Sequence, residues 1–381
     1  MEKRAASLTI KYFRRKYMFL VLGSLCMLYV WLWLDSTYDA CQTENCDENI
    51  IKFNQVHFVN KTTKKILLWT KFFLESKWIK DVRIGLEKSE HDCMATSHRE
   101  EVGTADAVVF HYLDLWLWET KPDYRRPSQV WVIFNMEPPV HLHVTGLPWK
   151  RVFNWTMMYR TDATIQHPYG EFTPLTPKEI IKATAKYNNM DFSVTKSKMV
   201  IAIISNCVDD VYRYRYIKEL SKYVDIDYFG KCGNLSCDTP SGCSIEKYKF
   251  RLVFENSYCR DYVTEKFWIT LQLNTVPIVN WKSNRRHFPR SSYINIHDFE
   301  SAKDLGSYLI MLSTNKTLYN GFFEWKTKFK IDIQTTLDSF KYLCDALHTP
   351  HKVQTIIDPK KYMMNDSCRG WSVSDKEYFH M

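Results

Sequence analysis

Polar side chains of a restricted kind close the apolar runs of this chain. Glu137 ends QVWVIFNME, Ser205 and Asn206 follow MVIAII, and Glu255 and Asn256 follow YKFRLVF, which opens at Tyr248. Thr264, Glu265 and Lys266 then begin a segment with apolar residues at Phe267, Trp268 and Leu271. Pro138 and Pro139 stiffen the chain directly after Glu137, and a carboxylate fixed in that way can act as general base toward an attacking hydroxyl. Arg213 and Arg215 stand at the start of a predicted helix after Asn206. An arginine there can form paired hydrogen bonds to phosphate and place its charge near a diphosphate leaving group. Thr264 suits a helix N-cap, and helix N-termini attract anions. Lys266 adds a full positive charge there, and Glu265 can accept two hydroxyl hydrogen bonds of the kind a ribose offers. The combination is compatible with a nucleotide-sugar site. Each residue also has a plainer reading, as a strand end, a proline-turn acid or a solvated helix face.

The elements that must position these groups read as strands alternating with helices. KKILLWTKFF, ADAVVFHYLD and QVWVIFNME are short apolar runs ending in polar residues, as buried parallel strands do, and FNWTMMYR continues the series. A second series, MVIAIISNC, YVDIDYFG, YKFRLVFEN, VPIVNW and YINIHDF, starts after the basic segment around Lys178–Lys198. Val211–Tyr223 and Thr264–Asn274 show i, i+3, i+4 apolar spacing and are predicted helices. The expected class is α/β, with two Rossmann-like domains, residues 63–193 and 194–340, facing each other across a cleft. In open sheets of this kind ligands bind beyond the carboxyl ends of the strands, where Glu137, Ser205-Asn206, Gly230 and Glu255-Asn256 fall. With 11 glycines and no GxGxxG or P-loop text, a nucleotide has to be held by helix N-termini and side chains.

The formal net charge is +9, but most of the excess lies in residues 1–16, and no RNA-reading motif accompanies the rest. Nucleic acid is therefore set aside as a partner. Residues 17–34, YMFLVLGSLCMLYVWLWL, carry no charge, with Tyr17, Trp31 and Trp33 near the two ends. That reads as a short transmembrane signal anchor, with residues 1–16 cytosolic and 35–62 a polar stem holding the body away from the membrane. Ten of the 11 cysteines follow the anchor, an even number that suits disulfides in an oxidising compartment, with the pairing left open. Sequons at Asn60, Asn154, Asn234, Asn315 and Asn365 agree with that compartment, Asn154 being the weakest acceptor because its stretch is apolar. Cys232, Cys237 and Cys243 lack the C-x-x-C pairs of common zinc sites. Asp225-Ile-Asp227 matches the short DxD pattern of metal-dependent transferases, yet it sits in an apparent strand, and no metal is expected there. His111, His141 and His143 are scattered singly and are assigned to structure or acceptor contacts.

YKFRLVFENSYCRDYVTEKFW followed by VPIV resembles the signature of the α1,3/4-fucosyltransferases, glycosyltransferase family 10. KKILLWTKFF, ADAVVFH, RPSQVWVIFNMEPPVH, FNWTMMYRTDATIQHPYG, the SNC with Arg213 seven residues after its Asn, and VDIDYFGKCG are similar to further family blocks. The resemblance runs from about Lys64 to about Trp325. It implies a GT-B fold in a type II membrane protein of the Golgi cisternae, with residues 194–340 binding GDP-fucose and 63–193 binding the acceptor. It implies inverting transfer of fucose to O3 of N-acetylglucosamine on N-glycans, O-glycans or glycolipids. No cofactor is required, Mn2+ or Mg2+ being at most a stimulator, and a homodimer is an open alternative. By the same resemblance Glu137 matches the general base, Arg213 and Lys266 the pyrophosphate-binding positions, and Tyr262 and Glu265 donor-contacting positions. Ser205, Asn206, Tyr248, Glu255, Asn256 and Thr264 fall in the same donor pocket. Two departures stand out: MEPP replaces the usual MESP, and VPIV leads into Asn280-Trp281 where the family often has glycine. Residues 341–381, with Cys344 and Cys368, resemble the family only loosely and are expected to pack back on the body through disulfides. The competing readings are an inactive, glycan-binding relative and another GT-B nucleotide-sugar transferase.

Overall fold

A computed structural model describes residues 51–54 and most of 63–368, omitting 76, 116–118, 140–148, 208–212, 238–242, 282–286, 336, 350–352 and 365–367. Residues 1–16, the expected anchor, most of the expected stem, His141, His143, Asn60 and Asn365 lie outside the described residues.

Two parallel sheets dominate. Strand β1 (Ile51–Asn54) precedes a six-stranded sheet built from β2 (Lys64–Leu68), β3 (Cys93–Thr96), β4 (Ala107–His111), β5 (Val130–Asn135), β6 (Trp155–Met158) and β7 (Ile165–Gln166). Its order is β3-β2-β4-β5-β6-β7, and every neighbouring pair is parallel. Strands β4 and β5 are buried at every position, as expected where both faces are covered. After β8 (Gly170–Pro174) comes the second sheet: β9 (Lys198–Ile203), β10 (Ile226–Phe229), β11 (Tyr248–Val253), β12 (Val276–Val279) and β13 (Ile294–Asn295). Its order, β10-β9-β11-β12-β13, is again all parallel. The α/β reading and both strand series therefore stand.

Helix α1 (Ile79–Leu86) crosses over between β2 and β3, and α2 (Pro177–Tyr187) links the two sheets. Pro177 follows Thr176, which makes a capping box with Glu179, so α2 starts where the sequence signals it. Helices α3 (Arg213–Leu220) and α4 (Glu265–Gln272) occupy the two predicted helical segments. Downstream lie α5 (Ala302–Thr314), α6 (Lys316–Gly321), β14 (Phe329–Ile333), α7 (Phe340–His348), β15 (Val353–Ile356) and α8 (Pro359–Met364).

Three features were not legible in the sequence. Residues 51–54, assigned to the stem, pair antiparallel with β15 of the C-terminal segment. Strand β3 lies at the sheet edge, and its four residues, CMAT, are too short a run to announce a strand. The third is the route of α4: Phe267, Trp268 and Leu271, at most 2% exposed, join one core with Val132 and Trp155 of the first sheet and with Phe340 and Leu343 of α7. Each such side chain contributes about 2–3 kcal/mol by burial. The backbone of β8 lies directly on the Trp268 indole, and a Cβ on Gly170 would meet that ring at 2.5 Å.

Disulfides join Cys93–Cys344, Cys207–Cys232, Cys237–Cys243 and Cys259–Cys368. The first and last tie the C-terminal segment to the body, as expected. Asn154 is corrected as a glycosylation acceptor. It is 3% exposed, and its amide accepts from the Trp131 and Arg125 nitrogens and donates to the Gln354 carbonyl at 2.9 Å. Asn234 and Asn315 are exposed.

Candidate functional site

The strand ends of the second sheet supply most of the predicted residues. Two residues beyond β11, Glu255 is 1% exposed. Its Oε1 accepts the Thr264 backbone N–H at 2.8 Å, and its Oε2 accepts the Thr264 hydroxyl at 3.0 Å and the Lys266 ammonium at 3.3 Å. Lys266 also donates to the Thr264 hydroxyl at 2.8 Å and pairs with Glu265 at 3.2 Å. Burial pulls the Lys266 ammonium down, but Glu255 and Glu265 outweigh it and hold the group above its ordinary value. One ammonium thus stands between two carboxylates at the start of α4. Thr264 stands at the N-cap position without capping, because its hydroxyl is directed to Glu255. That corrects the expected N-cap role: the carboxylate of Glu255 takes the helix-end donor instead. Buried Arg251, on β11, braces the same helix by donating to Thr270 Oγ1 at 3.1 Å.

Ser205 and Asn206 are exposed beyond β9, and Arg213 turns back to donate to the Asn206 carbonyl. Arg213 is 3% exposed whereas Arg215 is exposed, so the two arginines separate cleanly into a site candidate and a surface group. Gly230 ends β10 with φ +93°, and a Cβ there would meet the Ile204 carbonyl oxygen at 2.3 Å. Asn256 is half-buried beside Glu255.

Tyr248 is not brought to this cluster. It opens β11, whereas Glu255 follows the strand's far end, so the full length of the strand separates them. The Tyr248 hydroxyl donates to Asp227 at 2.5 Å, and Lys198 pairs with the same carboxylate at 2.7 Å. This correction has a simple cause: the seven residues that separate Tyr248 from Glu255 run the whole length of an extended strand, so the two stand at opposite ends of the sheet. The same triad occupies Asp227 of the DxD text. Among the described residues, Cys93, Cys344 and His348 group at metal-like distances, but the two sulfurs are joined to each other.

The first sheet brings Glu137, half-buried just beyond β5. Asn135 holds its backbone, donating to the Glu137 carbonyl at 2.7 Å and accepting its N–H at 3.2 Å. Burial raises the Glu137 carboxyl above 4.5; Lys266 opposes that rise, while Glu265 and Glu255 add to it. These influences place Glu137 in the electrostatic field of the α4 end, although it belongs to the other sheet. Between them stand three tyrosines: Tyr262 lies 5.1 Å from Tyr159 and 6.4 Å from Tyr169, ring to ring. Burial pushes all three hydroxyls up, and each also feels Glu137. The Tyr169 hydroxyl donates to the Met136 carbonyl at 2.8 Å, fixing the residue next to Glu137.

The sequence reading missed Tyr159, just past β6, Tyr169, immediately before β8, and Asn135, the last residue of β5. It also missed a lock between the sheets. Asp261, with φ +62°, accepts the Thr161 N–H at 3.0 Å and its hydroxyl at 2.7 Å. Neighbouring Arg260 donates to Asp162, which also binds Arg160. Arg160 in turn donates to the Tyr362 and Met363 carbonyls at 3.0 and 2.9 Å. Burial opposes ionisation of Asp162, but the two arginines hold its carboxyl below the usual range. A left-handed aspartate costs about 1–3 kcal/mol, which these buried bonds offset.

Fold and site together define an α/β protein whose two parallel sheets bring acids, a lysine and tyrosines to one edge. The chain belongs to glycosyltransferase family 10, the fucosyltransferases. Residues 61–170 match the model "Fucosyltransferase, N-terminal" and residues 193–362 match "Glycosyltransferase family 10 (fucosyltransferase) C-term". It is 33% identical over 293 residues to glycoprotein 3-alpha-L-fucosyltransferase A of Drosophila melanogaster, covering 73% of this chain and 54% of that protein. The chain thus spans about half the length of that relative. Alpha-(1,3)-fucosyltransferase C of the same fly is 30% identical over 341 residues, 81% of this chain and 79% of the relative. A crystal structure of an alpha1,3-fucosyltransferase with GDP-fucose aligns at 14% identity and TM-score 0.47, covering 78% of this chain and 94% of the other.

Proposed function

We propose that this protein is an inverting α1,3-fucosyltransferase moving L-fucose from GDP-β-L-fucose to O3 of N-acetylglucosamine on glycoprotein or glycolipid glycans. The observation that carries the reading is Glu137, held on one sheet within the field of Lys266, Glu265 and Glu255 on the other, in a chain of this family. The two sheets then correspond to the two halves of a GT-B enzyme, with the donor against the second and the acceptor against the first.

In the reaction the acceptor O3 attacks the fucose anomeric carbon while the bond from that carbon to the diphosphate oxygen breaks. The O3 proton passes to Glu137, whose raised affinity for protons brings it nearer the working pH of a general base. Negative charge grows on GDP, and Lys266 and Arg213 are the cations assigned to meet it. Glu265 and Tyr262 contact the donor, and Glu255 holds Thr264 and Lys266 in place before the ligand arrives. Attack opposite the leaving group inverts the anomeric centre. No step is assigned to a metal or cofactor.

The anchor at 17–34, lumenal orientation and Golgi membrane location belong to the same proposal, supported by the sequence and by disulfides throughout the body. Among the described residues no helix is long and apolar enough to cross a membrane.

The test is incubation of the full chain with labelled GDP-fucose and a panel of N-acetylglucosamine-bearing glycans, with linkage analysis of the product. Fucose on O3 supports the reading. Glycan binding without transfer or donor hydrolysis, from folded protein, would establish the inactive glycan-binding alternative instead.

A further inference from the structure

A groove of about 420 Å³ lies between α2 and the segment that includes Trp325, Lys326 and β14. None of its lining residues is among those assigned to donor or acceptor chemistry. Its composition is unusual: Lys182, Lys186, Lys326 and Lys330 surround it, against Glu179 as its one acid. Glu179 is spoken for, because it closes the capping box of α2 and pairs with Lys330 at 3.2 Å. Lys186 and Lys326 have no carboxylate partner among the described residues. Both ammonium groups instead approach the face of Tyr187, at 5.0 and 5.8 Å from the ring centre, and Lys326 stands 4.5 Å from the centre of Trp325. Aromatic faces are partial substitutes for an anion, worth about 0.5–2 kcal/mol each.

We propose that this groove is a second ligand site, which takes an anionic saccharide: a sulfate or carboxylate between Lys186 and Lys326, with the sugar hydroxyls along the groove toward Lys182 and Lys330. Two like charges turned toward one concavity repel each other until an oxyanion enters, and charge-assisted hydrogen bonds to it are the stronger kind. Burial and the neighbouring Lys186 pull the Lys326 ammonium down to about 8, the direction that a bound anion reverses. The volume lies within the usual range for small-molecule pockets. A flat bilayer could not enter such a concavity, so a membrane headgroup is the weaker occupant. The site has a physical connection to the chemistry. Trp325 packs on Phe172 at 5.2 Å, and Phe172 packs on Trp268 of α4 at 5.3 Å.

The experiment is calorimetric titration of the full chain in neutral detergent with a sulfated, heparin-derived disaccharide, its unsulfated counterpart and inorganic sulfate. The sulfated disaccharide is expected to bind more tightly than either control. The Lys186→Ala/Lys326→Ala variant should bind it at least tenfold more weakly, with GDP affinity unchanged. GDP affinity also separates a failure here from a failure of the donor reading. Lysine-to-alanine changes at a groove rim can unsettle the fold, so Lys186→Gln/Lys326→Gln, with unaltered thermal unfolding, serves as the second variant. Absence of disaccharide binding to the wild type, equal binding by both variants, or sulfate alone binding as tightly, would each overturn the proposal.

Discussion

Glu137 and Glu255 each lie two residues past the end of a buried parallel strand, yet they are fitted for opposite work. Glu255 is consumed by its surroundings: a backbone N–H, a hydroxyl and an ammonium all point at it. A carboxylate so occupied is a fixed counter-charge. Glu137 is held through its backbone, by Asn135, while its carboxyl is pushed toward protonation by burial and by Glu265 and Glu255. The difference teaches that a strand-end acid acquires its role from what neutralises it.

The largest expected effect comes from removing the proton acceptor. Glu137→Ala should lower kcat about 10²–10⁴-fold, the usual worth of general-base catalysis, measured under saturating GDP-fucose. Lys266→Ala follows, weakening GDP about 10–100-fold in a direct binding assay, as loss of a charged hydrogen bond would. A kcat loss with unchanged GDP affinity would move Lys266 out of the diphosphate role. Asp261→Ala comes next, since it cuts the lock between the sheets and leaves the half-buried Thr161 N–H without its acceptor. Chemical denaturation should show about 2–3 kcal/mol of lost stability. Asp261→Asn, which tolerates the left-handed backbone and keeps an acceptor, should recover most of it. The smallest effect is one of pH. Glu137 must be ionised to accept a proton, and its carboxyl is raised, so activity is lost as pH falls through a value above 4.5. The acid limb of kcat/KM should lie there, and a limb at or below 4.5 would place Glu137 in an ordinary, solvated setting.

Much of this was legible in the sequence because strand ends are marked by a change from apolar to polar text. FNME, ISN and VFEN each pass from buried strand to site within three residues. The extended family signature carried the rest of the donor cluster. Tyr248 shows the limit: signature membership placed it in the pocket, while strand geometry puts it at the other end of β11. Proximity in sequence says nothing about which end of a sheet a residue occupies. The lock joining Thr161, Asp162, Arg260 and Asp261 was invisible for a related reason. Its partners are about a hundred residues apart, and no local period encodes which aspartate meets which arginine. Asn154 illustrates a motif overruled by packing, since a sequon pattern cannot report that its amide is bonded to Trp131 and Gln354.

The division of labour between the two acids is tested most directly by measuring GDP affinity and fucosyl transfer side by side for Glu137→Gln and Glu255→Gln. Glu137→Gln should bind GDP as the wild type does and lose transfer, whereas Glu255→Gln should lose GDP affinity as Thr264 and Lys266 come adrift. Wild-type turnover by Glu137→Gln would contradict the account.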